Sequence, residues 1–160
     1  MTMMGTQIDE EQLYENPWIF KGSPFLSKDI GDMYGFVYCI TNVVNGRRYI
    51  GRKYFWSFRK PRGKSRRVKS ESDWKKYYGS SDELTQERKR IGNLPYARTI
   101  LSVWGTKGLV NYEETRQLFI NNVLCESLNE EPAFYNSNIL GRYMRKDYYG
   151  KGSTTSTEYV

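Results

Sequence analysis

Residues 36–51 of this chain have the sequence FVYCITNVVNGRRYIG, which carries a strong β-hairpin signal. Its β-branched and aromatic residues predict two strands, at about 36–41 and 47–51. Asn45 and Gly46 stand between the strands, and both residues tolerate the positive φ angles that tight hairpin turns require. The stretch therefore predicts an antiparallel β-hairpin.

Each predicted strand carries one tyrosine, Tyr38 on the first and Tyr49 on the second. Side chains of paired strands lie close together on one face of a sheet, so the hairpin can bring two phenol hydroxyls to the same edge. A tyrosine-rich hairpin whose rings pack across the strands, without any chemical role, is the alternative interpretation.

These residues resemble the first half of the GIY-YIG nuclease domain, in which two short tyrosine motifs lie on adjacent antiparallel strands. Tyr49-Ile50-Gly51 matches the second motif in full, while Phe36-Val37-Tyr38 matches the first with phenylalanine in place of its glycine. Ile40–Asn42 and the Asn45-Gly46 turn are also similar, especially to phage-borne, homing-endonuclease-like members. The resemblance covers roughly 35–125 and implies an α+β fold, a small antiparallel three-stranded sheet flanked by helices.

The same resemblance implies a set of catalytic residues. Tyr38 would act as or assist the general base that activates a water, and Tyr49 would orient the water or the phosphate. Arg59 lies eight residues beyond Gly51, matches the family's helical arginine in spacing, and would neutralise the transition state. Glu114 would hold one Mg²⁺ (or Mn²⁺) ion that stabilises the leaving oxygen.

The arginine assignment has alternatives, because Pro61 and Gly63 interrupt any regular helix around Arg59. Arg62 and Arg66 are the next candidates by position. Arg52 and Lys53 follow the second motif directly. For each of these cations, a phosphate contact without a catalytic role is the alternative function.

The metal ligand has an alternative in the adjacent Glu113. Glu114 is favoured because the sequence Glu114-Thr-Arg-Gln-Leu-Phe resembles the family's glutamate and the bulky residues after it. A helical wheel places Glu113 nearer the apolar stripe of this helix. If Asn111 caps the helix, Glu114 at the third position also completes a capping box, which would stabilise any helix.

The net charge of +7 is unevenly distributed along the 160 residues. Residues 1–34 hold six acids and two lysines, whereas residues 47–76 hold thirteen Lys and Arg and two acids. Aromatic residues interleave the basic segment, which suits a polyanion with stackable bases. A solvated charged loop is the alternative. We therefore expect DNA as the partner, contacted by Arg52, Lys53, Arg62, Lys64, Arg66 and Arg67.

The composition excludes several kinds of active site. The chain has no histidine and only two cysteines, Cys39 and Cys125, so it cannot build a zinc site, an HNH nuclease or a histidine-based triad. A hard, oxygen-liganded cation is the expected helper. There is no apolar run of membrane-spanning length and no secretory signal pattern, so we expect a cytoplasmic protein, in the host cytoplasm if it is phage-encoded.

The chain is expected to form one domain with extensions. We predict an N-terminal arm at 1–34 outside the active core, a nuclease domain at 35–125 with a basic insertion at 52–76, a short helical extension at 126–149, and a flexible tail at 150–160.

Within these parts the local signals predict further elements. We expect a short helix near 10–16, a loop with short helical ends at 52–72, helices at 72–78 (with Ser72 as N-cap), 82–91, from Asn111 to Leu124 and at 136–146, and a third strand at 96–103.

The sequence therefore predicts a metal-dependent DNA endonuclease. A nuclease-derived module that binds nucleic acid without cutting is the alternative, suggested by Phe36 and by the uncertain arginine. A third possibility is a basic structural protein whose aromatic residues form only a core.

Overall fold

The computed structural model of the protein describes residues 12–151. Residues 1–11 of the predicted arm, which include the start of the helix expected near 10–16, and residues 152–160 of the predicted tail lie outside that range. Two long strands, β3 (Gly35–Asn42) and β7 (Tyr96–Trp104), form the middle of the main sheet. β4 (Arg48–Tyr54) pairs with β3 in antiparallel register, and the turn between them contains Asn45 and Gly46 as predicted.

The sheet has five strands in the order β2-β1-β7-β3-β4. The three predicted antiparallel strands are confirmed, and two short strands extend the sheet, β1 (Ile19–Phe20) and β2 (Ser23–Pro24). β1 runs parallel to β7, so the sheet is mixed. The α+β fold class is confirmed. The predicted number of strands, three, was too low, because strands of two residues carry no periodic hydrophobic signal.

The central strand β3 is buried on both faces. Phe36, Tyr38 and Ile40 enter one apolar cluster, and Val37 enters the other. Side chains alternate between faces along a strand, so a strand covered on both sides needs a continuous apolar run. Phe36 replaces the glycine of the first motif without disturbing the hairpin, because its ring is fully buried against Trp18.

Residues 18–34 belong to the folded domain rather than to an arm outside its core. Trp18, Phe25 and Ile30 are buried in the same cluster as Tyr38. The Trp18 indole N–H also donates to the carbonyl of Trp74 at 2.7 Å. Aromatic residues scattered along an irregular segment carry no periodicity, so their burial was not predictable from local pattern.

The basic segment differs from the predicted loop. β5 (Trp56–Arg59) and β6 (Val68–Glu71) form a separate two-stranded antiparallel sheet. The helix expected at 72–78 is only a 3-10 turn, Trp74–Lys76. Ser72 does not cap it, because its hydroxyl donates to the carbonyl of Tyr54 at 2.6 Å. Pro61 and Gly63 lie at the tip, where they interrupt neither strand.

Helix α1 (Asp82–Ile91) has the predicted bounds, with Ser81 as N-cap and Gly92 at its C-terminal end. Helix α2 (Lys107–Ile120) begins earlier than predicted. Its N-cap is Thr106, whose hydroxyl oxygen accepts from the Leu109 amide at 3.1 Å. The predicted cap, Asn111, lies inside the helix, so the capping box that would have given Glu114 a structural role does not form.

The region after α2 contains hairpins in place of the predicted helix at 136–146. Two pairs of two-residue strands follow one another, β8 (Ser127–Leu128) with β9 (Glu131–Pro132) and β10 (Asn138–Ile139) with β11 (Tyr143–Met144). Only α3 (Arg145–Tyr148) is helical. Leu140 and Gly141 adopt positive φ angles at the hairpin turn, which a continuous helix excludes.

No helix within residues 12–151 is long and apolar enough to span a membrane.

Arg98 joins three segments of the domain. It lies on β7 with 1% of its surface exposed, and its guanidinium stacks on Trp18 and Tyr78. It donates to four backbone carbonyl groups, those of Glu15, Asn16, Lys75 and Tyr77. The planar guanidinium group of Arg98 therefore connects the N-terminal segment and residues 75–77 to the sheet.

We expect Arg98→Lys to lower the free energy of unfolding by roughly 2–4 kcal/mol, because one ammonium group cannot reach all four carbonyls and leaves buried acceptors unpaired. Urea denaturation measures this loss. Arg90→Lys, at an exposed position on α1, is the matched control and should change little. Equal stabilities of the two variants would contradict this account of Arg98.

Candidate active site

The two motif tyrosines face the same side of the β3–β4 hairpin. The register pairs Tyr38 with Gly51 and Ile40 with Tyr49, and the two phenol rings have centroids 6.2 Å apart. The Tyr38 phenol lies across Gly51. A Cβ atom at position 51 would be 2.5 Å from the Tyr38 hydroxyl, so only glycine fits there. The glycine of the second motif is therefore required by the tyrosine of the first.

A third tyrosine and a serine reach the same place from the loop before α1. The Tyr77 ring packs edge-on against Tyr38, with ring centroids 6.1 Å apart, and the Tyr49 and Ser80 hydroxyls are 2.9 Å apart. Gly79 lies between them with φ of +87°. Tyr77, Gly79 and Ser80 were not predicted to belong to the site. The available signal was a tyrosine-glycine-serine run directly before a helix start.

Burial governs the acidity of the three phenols. It raises the pKa of Tyr38 well above its usual value, and the neighbouring Tyr49 and Tyr77 add to the effect. Burial also raises the pKa of Tyr49, while the hydrogen bond with Ser80 acts in the opposite direction. The pKa of Tyr77 is raised by burial as well. All three groups are therefore neutral phenols at pH 7 in the free protein.

Tyr38 has 1% of its surface exposed and lines neither of the cavities described below, whereas Tyr49 and Tyr77 each line one. A general base must reach the water from which it takes a proton. Tyr38 reaches neither cavity in the free protein, and the role of base that the family resemblance implied for it stays a prediction.

Glu114 faces the tyrosines from helix α2. Its carboxylate forms an ion pair with Arg52 of β4, with Arg52 Nε and Glu114 Oε1 3.2 Å apart. Burial raises the pKa of Glu114, and the Arg52 guanidinium partly offsets this. Both residues line a cavity of about 600 Å³, which we call the Glu114 cavity. Its other lining residues include Tyr49, Ser80, Asp82, Glu83, Asn136 and Arg145.

The adjacent Glu113 points elsewhere and is fully engaged. Its carboxylate accepts two hydrogen bonds from Arg116, at 2.6 and 2.8 Å, and one from Gln117 at 2.9 Å. The hydrogen bonds from Arg116 lower the pKa of Glu113. Successive positions on a helix differ by about a quarter turn, so only Glu114 of the pair reaches the cavity.

Asn136 completes the exposed edge of β4. Its amide nitrogen donates to the carbonyl of Ile50 at 2.8 Å, and its amide oxygen accepts from the Ile50 N–H at 3.1 Å. The side chain thus replaces a neighbouring strand next to Tyr49 and Gly51. No local signal predicted this contact, because Asn136 is 86 residues distant in the chain.

The predicted arginines and lysines occupy two different regions. Arg52 lies at Glu114, whereas Arg59 lies exposed on β5 and not on a helix. A second cavity, which we call the ribbon cleft, has a volume of about 640 Å³ and is lined by Arg52, Lys53, Arg59, Tyr77 and neighbouring residues. Lys53 forms an ion pair with Asp73 at 2.6 Å. The remaining predicted cations, Arg62, Lys64, Arg66 and Arg67, are exposed at the tip between β5 and β6.

The first helix after the second motif is α1, and its arginines lie away from the Glu114 cavity. The Arg88 guanidinium stacks over Tyr78 and donates to Asn93 at 2.8 Å. Arg90 is exposed in the last turn. Of the arginines suggested by the sequence, Arg52 is the one that the fold brings to Glu114 and Tyr49.

The strand–strand–helix–strand–helix order, with two tyrosines on the hairpin and a glutamate on the second helix, agrees with a comparison against protein families. The family model described as "Putative endonuclease segE, GIY-YIG domain" matches residues 18–139. The chain belongs to the GIY-YIG family. No curated protein and no solved structure matches it.

The GIY-YIG domain extends further in both directions than the range of 35–125 predicted from the sequence. The match starts at Trp18 and ends at Ile139, which includes the N-terminal strands that join the sheet and the Asn136 segment that contacts β4. The domain is that of an endonuclease.

The donor groups of the GIY-YIG site fit a hard divalent cation. Glu114 supplies a carboxylate to an open cavity, and Mg²⁺ typically binds through one or two carboxylates with water and substrate phosphate as its other ligands. Within residues 12–151 there is no cluster of three or more His, Cys, Asp or Glu side chains that could hold a metal. Glu83, which also lines the cavity, forms an ion pair with Arg47 at 2.7 Å.

We expect Gly79→Ala to reduce cleavage by about tenfold or more, because misplacing a catalytic group by about 1 Å is sufficient for such a loss. A Cβ at position 79 would be 2.8 Å from Tyr49 Cε2. Rates of plasmid nicking measure the effect.

Gly92→Ala is the matched control for this substitution. Gly92 has φ of +84°, close to that of Gly79, but a Cβ there would have no atom within 4 Å. Both variants should lose roughly 1–2 kcal/mol of stability from the unfavourable φ. Only Gly79→Ala should lose activity beyond that. Equal activity losses would show that the tyrosine contact has no catalytic importance.

Proposed function

We propose that this GIY-YIG domain is a homing-endonuclease-like DNA endonuclease that hydrolyses phosphodiester bonds with the help of one divalent cation, Mg²⁺ or Mn²⁺. The observation that carries the proposal is the grouping of Glu114, Arg52 and Tyr49 around one cavity. Each of the three has a chemical task in phosphodiester hydrolysis that its position suits. The endonuclease family supports the same assignment.

Glu114 would hold the cation. Burial raises the pKa of this carboxyl group, which means that its carboxylate is poorly solvated and gains from a cationic partner. When bound, the ion would act as a Lewis acid at the leaving oxygen. Arg52, which is paired with Glu114 and lines the same cavity, would contact the same substrate phosphate.

Arg52 would stabilise the transition state. Charge increases on the phosphoryl oxygens as the water attacks, and a preorganised guanidinium stabilises that charge. Arg52 lines both the Glu114 cavity and the ribbon cleft, so a strand that follows these two cavities passes it. We propose Arg52 for this role in place of Arg59, which lines only the ribbon cleft.

The tyrosines would position the attacking water. Tyr49 is the phenol that lines the Glu114 cavity, and its hydroxyl, which contacts Ser80, would form a hydrogen bond with the water. Tyr38 would act as a positioning residue, because its buried ring packs against both Tyr49 and Tyr77. This packing would fix the position of the Tyr49 hydroxyl.

We expect Glu114→Gln to reduce metal-dependent nicking of plasmid DNA by about 10²-fold or more, because losing an ion ligand removes several kcal/mol of transition-state stabilisation. DNA binding, measured by fluorescence anisotropy, should stay within a few-fold, since the carboxylate makes no attractive contact with phosphate.

Glu113→Gln is the matched control on the next residue. It loses the ion pair with Arg116, so the expected cost is about 1–2 kcal/mol of stability with cleavage retained. If Glu113→Gln abolished cleavage and Glu114→Gln did not, the metal ligand would be Glu113. If neither did, the proposed metal site would be wrong.

We further expect Arg52→Ala to reduce the cleavage rate by about 10²-fold, the usual loss when a preorganised transition-state contact is removed. Arg59→Ala should reduce DNA affinity and leave the rate at saturating DNA almost unchanged. Single-turnover kinetics separate the two effects. A large rate loss in Arg59→Ala with a normal rate in Arg52→Ala would assign the catalytic role to Arg59.

A further inference from the structure

The hairpin of β5 and β6 projects from the domain as an exposed ribbon. We define the basic ribbon as residues 56–71, and every residue from 58 to 71 is exposed. Its strands pair with each other, and within residues 12–151 no third strand pairs with either. An isolated two-stranded hairpin is only marginally stable in water. This suggests that the ribbon functions in contact with something else.

The charge of the ribbon indicates a polyanionic partner. It carries seven Lys and Arg residues and one acid, Glu71. Glu71 lies at the base of the ribbon, where it accepts a hydrogen bond from the Ser27 hydroxyl at 2.7 Å. The connection between the strands, residues 60–67, holds five of the seven cations and no acid. Such a density of like charge repels itself unless phosphate groups neutralise it.

The two faces of the ribbon differ. Trp56 and Phe58 lie on one face, where Lys69 covers the Trp56 ring at 4.1 Å and Phe58 stacks against Tyr34. Ser57, Arg59 and Ser70 lie on the other face and line the ribbon cleft, together with Trp56 and Glu71 at the base of the ribbon and with Arg52 and Tyr77 of the domain. The ribbon cleft therefore connects the base of the ribbon with Arg52, the arginine proposed for catalysis.

The tip of the ribbon suits a duplex better than a single strand. Proteins that bind single strands offer aromatic platforms on which bases stack, but residues 59–67 contain no aromatic residue. A two-stranded ribbon has the width that the major groove of B-form DNA admits, and arginine is the side chain that most often pairs with the major-groove edge of guanine. Arg62, Arg66 and Arg67 stand at this tip.

We propose that the basic ribbon inserts into the major groove of duplex DNA on one flank of the cleavage site, and thereby selects duplex DNA as the substrate. This inference rests on the proposed function, since it takes DNA as the partner and the Glu114 cavity as the cutting site. Arg52 lines both cavities, so a duplex held by the ribbon would place a neighbouring phosphate at that arginine.

The test measures the affinity of the intact chain for short duplexes by fluorescence anisotropy, without divalent cations, so that binding is read independently of cutting. One duplex carries glucosylated hydroxymethylcytosine, which fills the major groove. A second carries N2-ethylguanine, which fills the minor groove. A third is unmodified, and a single strand of the same sequence completes the set. The major-groove modification should weaken binding by about tenfold, the order of one lost bidentate base contact.

The variant for this test removes four of the five tip cations by replacing Arg62, Lys64, Arg66 and Arg67 with alanine. It should bind all duplexes equally, and its slope of log affinity against log salt should flatten by roughly two to four units. The matched control replaces four exposed cations elsewhere, Lys89, Arg90, Lys107 and Lys146. It loses the same charge and should keep the sensitivity to the major-groove modification.

The inference is overturned if both groove modifications act equally, if only the minor-groove modification weakens binding, or if the single strand binds more tightly than the duplex. In those cases normal cleavage of plasmid DNA would leave the proposed function standing. A protein that neither binds nor cuts any of these DNAs would instead contradict the proposed function itself.

Discussion

The contact between the Tyr38 phenol and Gly51 is the constraint on which the site depends. It requires β3 and β4 to pair in one register, because a shift of one residue would turn every side chain of the hairpin to the opposite face. It also requires that position 51 have no side chain. Once this register is set, Tyr49 points to the same face as Tyr38, and the loop before α1 can close over both.

The closing loop is held by buried polar contacts rather than by regular structure. Arg98 donates to the carbonyl groups of Lys75 and Tyr77, and Trp18 donates to that of Trp74. Residues 74–77 therefore owe their position to β7 and to the N-terminal segment. This explains why the N-terminal segment contributes to the site without lining it.

Charge is divided between two parts of the molecule with different physical roles. Around the Glu114 cavity, Glu114 is paired with Arg52 and Glu83 with Arg47, which makes the position of these charges well defined. On the basic ribbon, the cations are exposed and crowded. The first arrangement suits a reaction that needs fixed geometry, and the second suits a long polyanion that is bound through many phosphates.

The hairpin, helix α1 and strand β7 could be predicted from the sequence. Each is encoded by neighbouring residues, such as Asn45-Gly46 at the turn and Ser81 and Gly92 at the ends of α1. The tyrosine motifs also identified the family. The start of a helix was predicted less well where the sequence offers two possible N-cap residues. Helix α2 is capped by Thr106 and not by Asn111.

Which residues come into contact at the site depends on tertiary packing. Ser80 reaches Tyr49 from 31 residues away, and Asn136 reaches Ile50 from 86. The direction of Glu114 rather than Glu113 follows from the packing of α2 on β4, and Arg52 meets Glu114 for the same reason. These contacts join segments that are distant in the chain, so no local pattern of residue types encodes them. They form because burying both faces of β3 leaves the surrounding segments few ways to pack.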